Sequence, residues 1–290
     1  TTAAKLDIAR AVVRTGSTTM RALAQANAFL IQAPGHAALE PIVPGDLPAV
    51  ETGRSAGVDW VKQAIPGDPD WPGMTFAVAL AQDGTHKAVA VVTSLEAADP
   101  AAAAVKLAGD ILRANGDDAI RRHEEIWADY WSRSGVRLAD AFLTATWYRN
   151  LYFFRCVTKA GVVSPGLFAG LTTDRPAWHG DYHTNYNLQQ TFWTAYNTNH
   201  PELVEPYDRL IRNYLPRAQW MAKRIYSLPG AFYPHVLYAY EPPDPDACKS
   251  RNGRQYIHHV WGMTLGVTGF TVQPLWWHYK YAPNRELLEK

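Results

Sequence analysis

Residues 178–193, WHGDYHTNYNLQQTFW, bring aromatic rings, histidines and amides together more densely than a plain core helix does. Asn185 and Asn187 are two positions apart, and an α-helix turns once every 3.6 residues, so on one regular helix these side chains point in nearly opposite directions. They converge only on an extended backbone. We therefore expect a loop through 183–186 that leads into a helix over 187–199, and we interpret the stretch as the wall of an active site.

The two asparagines suggest a water site. Two primary amides aimed at one point can hold a water molecule by donating to it and accepting from it, but an amide has no useful basicity, so a base must lie elsewhere. The alternative for Asn185 and for Asn187 is the usual task of a loop asparagine, which is to cap a helix or satisfy a turn.

The wider pattern Trp-x-Gly-Asp-Tyr-His-x-Asn-x-Asn-Leu-Gln-x-x-x-Trp resembles the signature of the glycoside hydrolase family 95 α-L-fucosidases. The resemblance covers most of the chain at low identity, with this one sharp block. It also runs through His123, Trp127, Ser134, Leu151-Tyr152, the Gly170 segment, Asn199, Glu202, Leu203, Pro206 and Trp277-His278-Tyr279.

The resemblance implies an inverting glycoside hydrolase that removes terminal α-L-fucosyl or α-L-galactosyl residues from an oligosaccharide or glycan. Asn185 and Asn187 match the family's asparagines that hold the water for a base Asp, and His183 matches its substrate-contacting histidine. The family's acid Glu and base Asp map beyond Tyr279, and we find neither in this chain. Trp277 stands where family members have Glu before His-Tyr, which leaves the fine substrate specificity open.

Two further side chains are candidates for sugar binding. A neutral His183 imidazole can bond one sugar hydroxyl, and Trp178 can stack on the apolar face of a pyranose. The alternatives are a bond from His183 to the loop backbone and packing of Trp178 under the loop.

The remaining polar groups have simpler explanations. Four acids near the motif suit turns or the first turns of helices, namely Asp174, Asp181, Glu202 and Glu205. His258-His259 lacks a third ligand at useful spacing, so we predict no metal site and no cofactor.

Composition favours a neutral ligand. The 290 residues are 47% hydrophobic and 19% charged, with a net charge of +1, which excludes a basic field for nucleic acid. Nine of the eleven tryptophans lie between Trp127 and Trp277, where stacking on sugars and core packing explain them equally well. Cys156 and Cys248 suit ordinary thiols. We find no apolar run of membrane-spanning length and no signal peptide; the expected function suggests a periplasmic or extracellular location.

Local patterns divide the chain into three parts. Residues 1–97 carry β-type cues and are expected to be the C-terminal part of a β-sandwich, with a 74–93 hairpin turning near Asp83-Gly84 and a long surface loop over 41–72. Residues 98–116 are predicted to form a linker helix that begins at Asp99-Pro100.

Residues 117–290 are predicted to be the first half of an (α/α)6 barrel catalytic domain. The predicted helices are 118–133, 138–160, 187–199, 202–226, 263–281 and one starting near Asn284. Ile126, Trp127, Tyr130 and Trp131 share one helix face and are assigned to a core.

The helix count does not close a toroid. Twelve helices of about 12 residues with their loops need roughly 250 residues, and only 174 follow Gly116. We therefore expect a central fragment of a longer enzyme, inactive by itself. A catalytically inactive toroid that only binds glycans is the alternative, and an interaction scaffold without a ligand is a third possibility.

Overall fold

A computed structural model describes residues 3–43, 45–167, 177–249 and 264–289. The chain forms two compact units, the first from 1–68 and 72–132 and the second from 69–71 and 133–290. The sequence predicted part of a β-sandwich followed by part of a helical barrel; the structure has an antiparallel sheet followed by helices, which agrees with the predicted order of element types.

The first unit is built on one antiparallel sheet of eight strands. The strands are β1 Ala4–Asp7, β2 Val12–Thr15, β3 Thr18–Ala22, β4 Ala28–Gln32, β5 Glu51–Ser55, β6 Val58–Ile65, β7 Met74–Gln82 and β8 His86–Thr93. Their order in the sheet is β1-β2-β3-β4-β8-β7-β6-β5. The predicted hairpin is confirmed, because β7 and β8 pair from Phe76↔Thr93 to Gln82↔Lys87.

The prediction of a loop over 41–72 was wrong, because β5 and β6 lie inside it. The two strands are joined at Ala56 and Gly57, whose φ angles are 50° and 80°. Such a pair of left-handed residues makes the tight turn that suits a hairpin. Strand β5 is at the sheet edge and mostly exposed, so it carries polar residues in place of the alternating apolar pattern that reveals a strand.

Helix α1, Pro100–Leu112, covers one face of this sheet. Alanines on both sides allow the helix to lie close to the strands, since Ala79 and Ala90 on the sheet and Ala104 and Ala108 on the helix are all 0% exposed. The predicted start is confirmed: the Asp99 carboxylate accepts a hydrogen bond from the Ala102 N–H at 3.1 Å.

Helix α2, Asp117–Ser132, packs with the first unit, whereas the sequence assigned it to the helical domain. Its fully buried His123 accepts from the Ala24 N–H at 3.1 Å, so its other ring nitrogen carries the hydrogen and donates to the Arg10 carbonyl at 2.9 Å. Burial lowers the pKa of His123, in keeping with this neutral role. The compact unit therefore extends to Ser132, beyond the predicted boundary after residue 116.

The aromatic stripe of α2 lies in a core, as predicted. Trp127 and Tyr130 are 4% and 3% exposed and meet edge to face at 5.7 Å. The Trp131 indole N–H donates to the Ile8 carbonyl at 3.2 Å.

The second unit is helical, and the helices that the sequence predicted are present with shorter ends. Helix α3 begins after Asp140, whose carboxylate accepts from the Phe142 and Leu143 N–H groups. A 3-10 turn at Pro201–Val204 precedes α5. The helices are α3 Ala141–Val157, α4 Asn187–Asn197, α5 Glu205–Tyr226, α6 Gly266–Tyr281 and α7 Arg285–Glu289.

Buried tyrosines join three of these helices. The Tyr196 hydroxyl of α4 donates to the Pro274 carbonyl of α6 at 2.7 Å, and the Tyr207 hydroxyl of α5 donates to the Thr271 carbonyl at 2.6 Å. Phe192, which is fully buried, packs against Tyr207 with ring centroids 5.3 Å apart. This core supports the start of α4, where the sequence places its candidate site.

Cys156 and Cys248 are thiols and form no disulfide bond in the described part of the chain. Across the described ranges, no helix combines the length and the apolar character needed to cross a membrane.

Candidate functional site

A short strand, β9 Tyr182–His183, ends where the predicted loop over 183–186 begins, and residues 184–186 form a turn, so the extended backbone expected near the asparagines is limited to 182–183. Helix α4 begins at Asn187, as predicted. Strand β9 pairs antiparallel with β10, Val236–Leu237, in the register His183↔Val236. This pairing places His235 beside His183, with ring centroids 6.0 Å apart and planes at 77°. A residue from the loop after α5 thus joins the predicted wall.

Trp178 places an exposed indole beside the His183 ring. Its φ of 50° is in the left-handed region, and its residue surface is 62% exposed. The indole meets the His183 ring edge to face at 5.8 Å. A left-handed non-glycine residue costs of the order of 1–3 kcal/mol and persists where the surroundings hold it, often at a functional site. An exposed indole suits stacking better than packing under the loop.

His183 is bonded to a carboxylate, not to the loop backbone. Its Nδ1 lies 2.5 Å from Asp181 Oδ1, and Asp181 is only 5% exposed. Residues two apart on an extended backbone face the same side, which explains this contact. Burial lowers the pKa of His235, with His183 adding to the shift and Asp181 opposing it, so the second imidazole favours the neutral form.

Thr184 is the buried junction of this wall and is 0% exposed. Its N–H donates to the His235 carbonyl at 2.9 Å, and its hydroxyl donates to the Pro234 carbonyl. Its own carbonyl accepts from the Gln189 amide and from the Thr271 hydroxyl. One residue therefore connects β9 to β10, α4 and α6, directly between His183 and Asn185.

The two predicted water-holding asparagines do not cap α4. Tyr186 occupies the capping position without a side-chain hydrogen bond, and Asn187 is the first helical residue. The Asn185 Oδ1 atom is buried and has no hydrogen-bond partner among the described residues. Leaving a buried acceptor unpaired costs about 1–3 kcal/mol, and water or a ligand normally accounts for such an atom. Asn187 is exposed.

The structure thus brings Trp178, His183 and His235 into ring contact, with Asn185 and Asn187 following in the next turn of chain. Within the described ranges, no hydrogen bond joins the asparagine side chains to each other or to His183.

Comparison with known proteins matches the part of the sequence that carries this site to a family. Residues 165–290 match the family model described as the glycosyl hydrolase family 95 catalytic domain. The resemblance to family 95 is thus confirmed over these residues. A curated relative from Aspergillus niger, "Probable alpha-fucosidase A", is 34% identical over 87 residues, which are 29% of this chain and 11% of that relative.

A solved structure extends the comparison to the fold. "Putative kojibiose phosphorylase from human microbiome" superposes with a TM-score of 0.61 over 98% of this chain and 42% of that one. At 9% sequence identity the likeness shows the fold alone. The chain spans less than half of that structure and a small part of the fucosidase relative.

Two carboxylates within residues 165–290 lie in first turns of helices, as the sequence suggested, namely Glu202 and Glu205. Glu202 pairs with Arg133 at 3.0 Å, and Glu205 accepts from the Gly161 N–H at 2.9 Å. Asp181 differs, because the sequence assigned it to a turn and the structure pairs it with His183. Asp174 lies outside the described residues.

Two buried carboxylates within residues 165–290, each in contact with a basic side chain, were missed by the sequence analysis. Asp208 of α5, 2% exposed, lies 2.5 Å from His278 of α6, and burial raises its pKa. Glu241 lies 2.6 Å from Arg217, and burial likewise raises its pKa. The first pair joins two helices, and the second ties the loop after β10 to α5. No local pattern marks either pair.

The sequence analysis did not identify His235, which lies in the loop after α5. His235 was one histidine in a long loop, which is a weak signal. Tyr238 follows β10, and its pKa is raised by burial first and then by Asp181 and Glu241. In the described part of the chain, no group of three or more His, Cys, Asp or Glu could hold a metal; His258 and His259 lie outside it.

Proposed function

We propose that the full-length protein is an inverting glycoside hydrolase of the α-L-fucosidase type, acting on terminal α-L-fucosyl or α-L-galactosyl residues of glycans. The observation that carries the proposal is the buried, unpaired Asn185 oxygen inside a matched family 95 segment. It supplies an acceptor for a water molecule at the place where the family resemblance puts one. Such a substrate suits a periplasmic or extracellular protein.

In this mechanism, Asn185 and Asn187 hold the attacking water while a carboxylate removes its proton and a carboxylic acid protonates the leaving oxygen. Inverting enzymes keep that pair of carboxyl groups about 6.5–9.5 Å apart, so that the water fits on the far face of the sugar. The acid and base would come from residues beyond 1–290. His183 and Trp178 would bind the sugar by a hydrogen bond and by stacking.

We also propose that the chain is an incomplete (α/α)6 barrel that follows part of a β-sandwich. Support comes from large apolar side chains left in water on the described helices, since Phe142 is 69% exposed, Trp276 54% and Tyr281 57%. Apolar surface of this kind usually meets a partner. The remaining helices of the toroid would cover it.

The asparagines give the first test. In the full-length protein, Asn187→Ala and Asn185→Ala should each lower kcat on an aryl α-L-fucoside by about 10² to 10⁴ with little change in KM, because a misplaced water is felt mainly in the transition state. Asn213→Ala, on the exposed side of α5, is the matched control. Wild-type kcat in both site variants would refute the water-holding role. Specific fucoside binding without any hydrolysis by the wild type would favour the glycan-binding alternative.

The 290-residue chain alone gives the second test. It should not hydrolyse fucosides, because an amide-held water without an acid and a base loses two contributions of about 10² to 10⁴ each. It should also self-associate or bind a hydrophobic dye. Fucosidase turnover by this chain, or a monodisperse monomer with a cooperative melt, would contradict the half-barrel proposal.

A further inference from the structure

The chemical role of His183 depends on where its ring proton sits. Asp181 is nearly inaccessible, at 5% exposure, and its Oδ1 lies 2.5 Å from Nδ1 of His183. An ionised carboxylate has acceptor oxygens only, so the hydrogen in this contact belongs to Nδ1. A neutral His183 then carries a lone pair on Nε2.

Backbone hydrogen bonds fix the position of Asp181, so that its carboxylate can keep the His183 ring proton on Nδ1. The Asp181 N–H donates to the Trp178 carbonyl at 3.2 Å, and the Asp181 carbonyl accepts from the Leu167 N–H at 2.8 Å. On the histidine side, the pairing of His183 with Val236 fixes the strand. Both partners therefore have backbone positions that are set independently of their own side-chain bond.

The other ring nitrogen remains available. Among the described residues, none is hydrogen-bonded to His183 Nε2, although rings flank the imidazole on two sides, Trp178 at 5.8 Å and His235 at 6.0 Å. The His183 side chain is 18% exposed against 8% for Asp181. Nδ1 is engaged by the buried Asp181 carboxylate, which leaves Nε2 as the ring nitrogen that can bond a ligand.

We propose that Asp181 is the positioning residue of His183, keeping the proton on Nδ1 so that Nε2 accepts a hydrogen bond from one hydroxyl of the sugar. This deepens the proposed function and rests on it for the identity of the ligand. It assigns a direction to the contact: the substrate hydroxyl donates and the protein accepts. A sugar whose hydroxyl at that position is replaced by fluorine, which cannot donate, should therefore bind no better than the deoxy sugar.

The tautomer can be measured without any substrate. Long-range ¹H–¹⁵N correlation spectra of the histidine-labelled full-length protein, assigned with His183→Gln, should show the proton on Nδ1 and a bare Nε2. Asp181→Ala should abolish this preference. A proton on Nε2 of neutral His183 in the wild type, or an unchanged tautomer in Asp181→Ala, would overturn the assignment whether or not the protein hydrolyses fucosides.

Steady-state kinetics of the full-length protein provide a second test of the role of Asp181. Asp181→Asn should raise KM for an aryl α-L-fucoside by roughly 2- to 10-fold, the loss expected for one weakened hydrogen bond, with a smaller change in kcat. Tyr182→Phe is the control, because it removes the bond from the Tyr182 hydroxyl to the Ser164 carbonyl at 2.8 Å and leaves the His183 contact intact. An equal rise in KM in this control would attribute the effect to a loosened strand and refute the proposal. If no variant or wild type turns over any fucoside, the proposed function fails, while the tautomer result stands.

Discussion

Thr184→Val tests the junction on which the candidate site is built. Valine matches threonine in shape but has no hydroxyl, so the bond to the Pro234 carbonyl is lost. Among the described residues that carbonyl has no second donor, and the position is 0% exposed, so water cannot readily replace the bond. Leaving a buried acceptor unpaired costs about 1–3 kcal/mol. At roughly 2–4 °C per kcal/mol for a unit of this size, Tm should fall by about 2–12 °C.

The loss should also reach the site, because Thr184 lies between His183 and Asn185. We expect kcat/KM on an aryl α-L-fucoside to fall by at least about 10-fold in the full-length protein, since small displacements of positioned groups are costly in catalysis. Calorimetric melting and steady-state kinetics measure the two effects. Thr184→Ser keeps the hydroxyl and should recover most of both.

Thr198→Val is a matched control. Thr198 is also buried, at 6% exposure, and its hydroxyl donates to the Thr194 carbonyl at 2.7 Å. That carbonyl also accepts from the Thr198 N–H, so it keeps a partner in the variant. The control should lose less than about 1 kcal/mol. A wild-type melt for Thr184→Val, or Thr184→Ser as damaged as Thr184→Val, would refute the junction argument.

Two further predictions concern binding and pH. Trp178→Ala and His183→Ala should each weaken sugar binding by about 1–3 kcal/mol, measured by calorimetric titration of a full-length protein whose catalytic acid has been removed by mutation. Unchanged affinity in both variants would show that the two residues have only structural roles. His123 has a folded-state pKa below its usual value because it is buried, so the unfolded chain binds more protons as the pH falls. The stability of the first unit should accordingly be full above about pH 6.5 and decline below it as far as the folded-state pKa. Chemical unfolding at pH 7.5 and pH 5 should show a smaller loss in His123→Gln than in wild type, and equal losses would assign the effect to other groups.

Local signals predicted most of the helical elements well. The Asp99-Pro100 start of α1 and the apolar face of α2 depend on residues within a few positions of one another, and both are present in the structure. The hairpin at Asp83-Gly84 is equally local, since Gly84 adopts a φ of 90° in the turn. The β5 strand was missed for the converse reason, because an exposed edge strand has no buried face to impose an alternating pattern.

The residues of the candidate site likewise divide into those that a local motif identifies and those that only contacts between distant segments place there. The sequence identified Trp178, His183 and the two asparagines, because they lie in one short motif with an extended start and a helical continuation. It assigned Asp181 to a turn, since a single acid in a loop carries no sign of its partner. It did not identify His235, which reaches the site only through the β9–β10 pairing.

By itself, the sequence determined the types of element, their caps and turns, and the family motif, all of which depend on neighbouring residues and on the periods of helix and strand. Only the tertiary structure decided that α2 completes the first unit, since His123 bonds Arg10 and Ala24, about a hundred positions earlier in the chain. It likewise decided that Pro234 and Thr271 meet at Thr184. Contacts of this kind depend on the register and packing of distant segments. Such packing is favoured because a buried polar group left unpaired costs free energy.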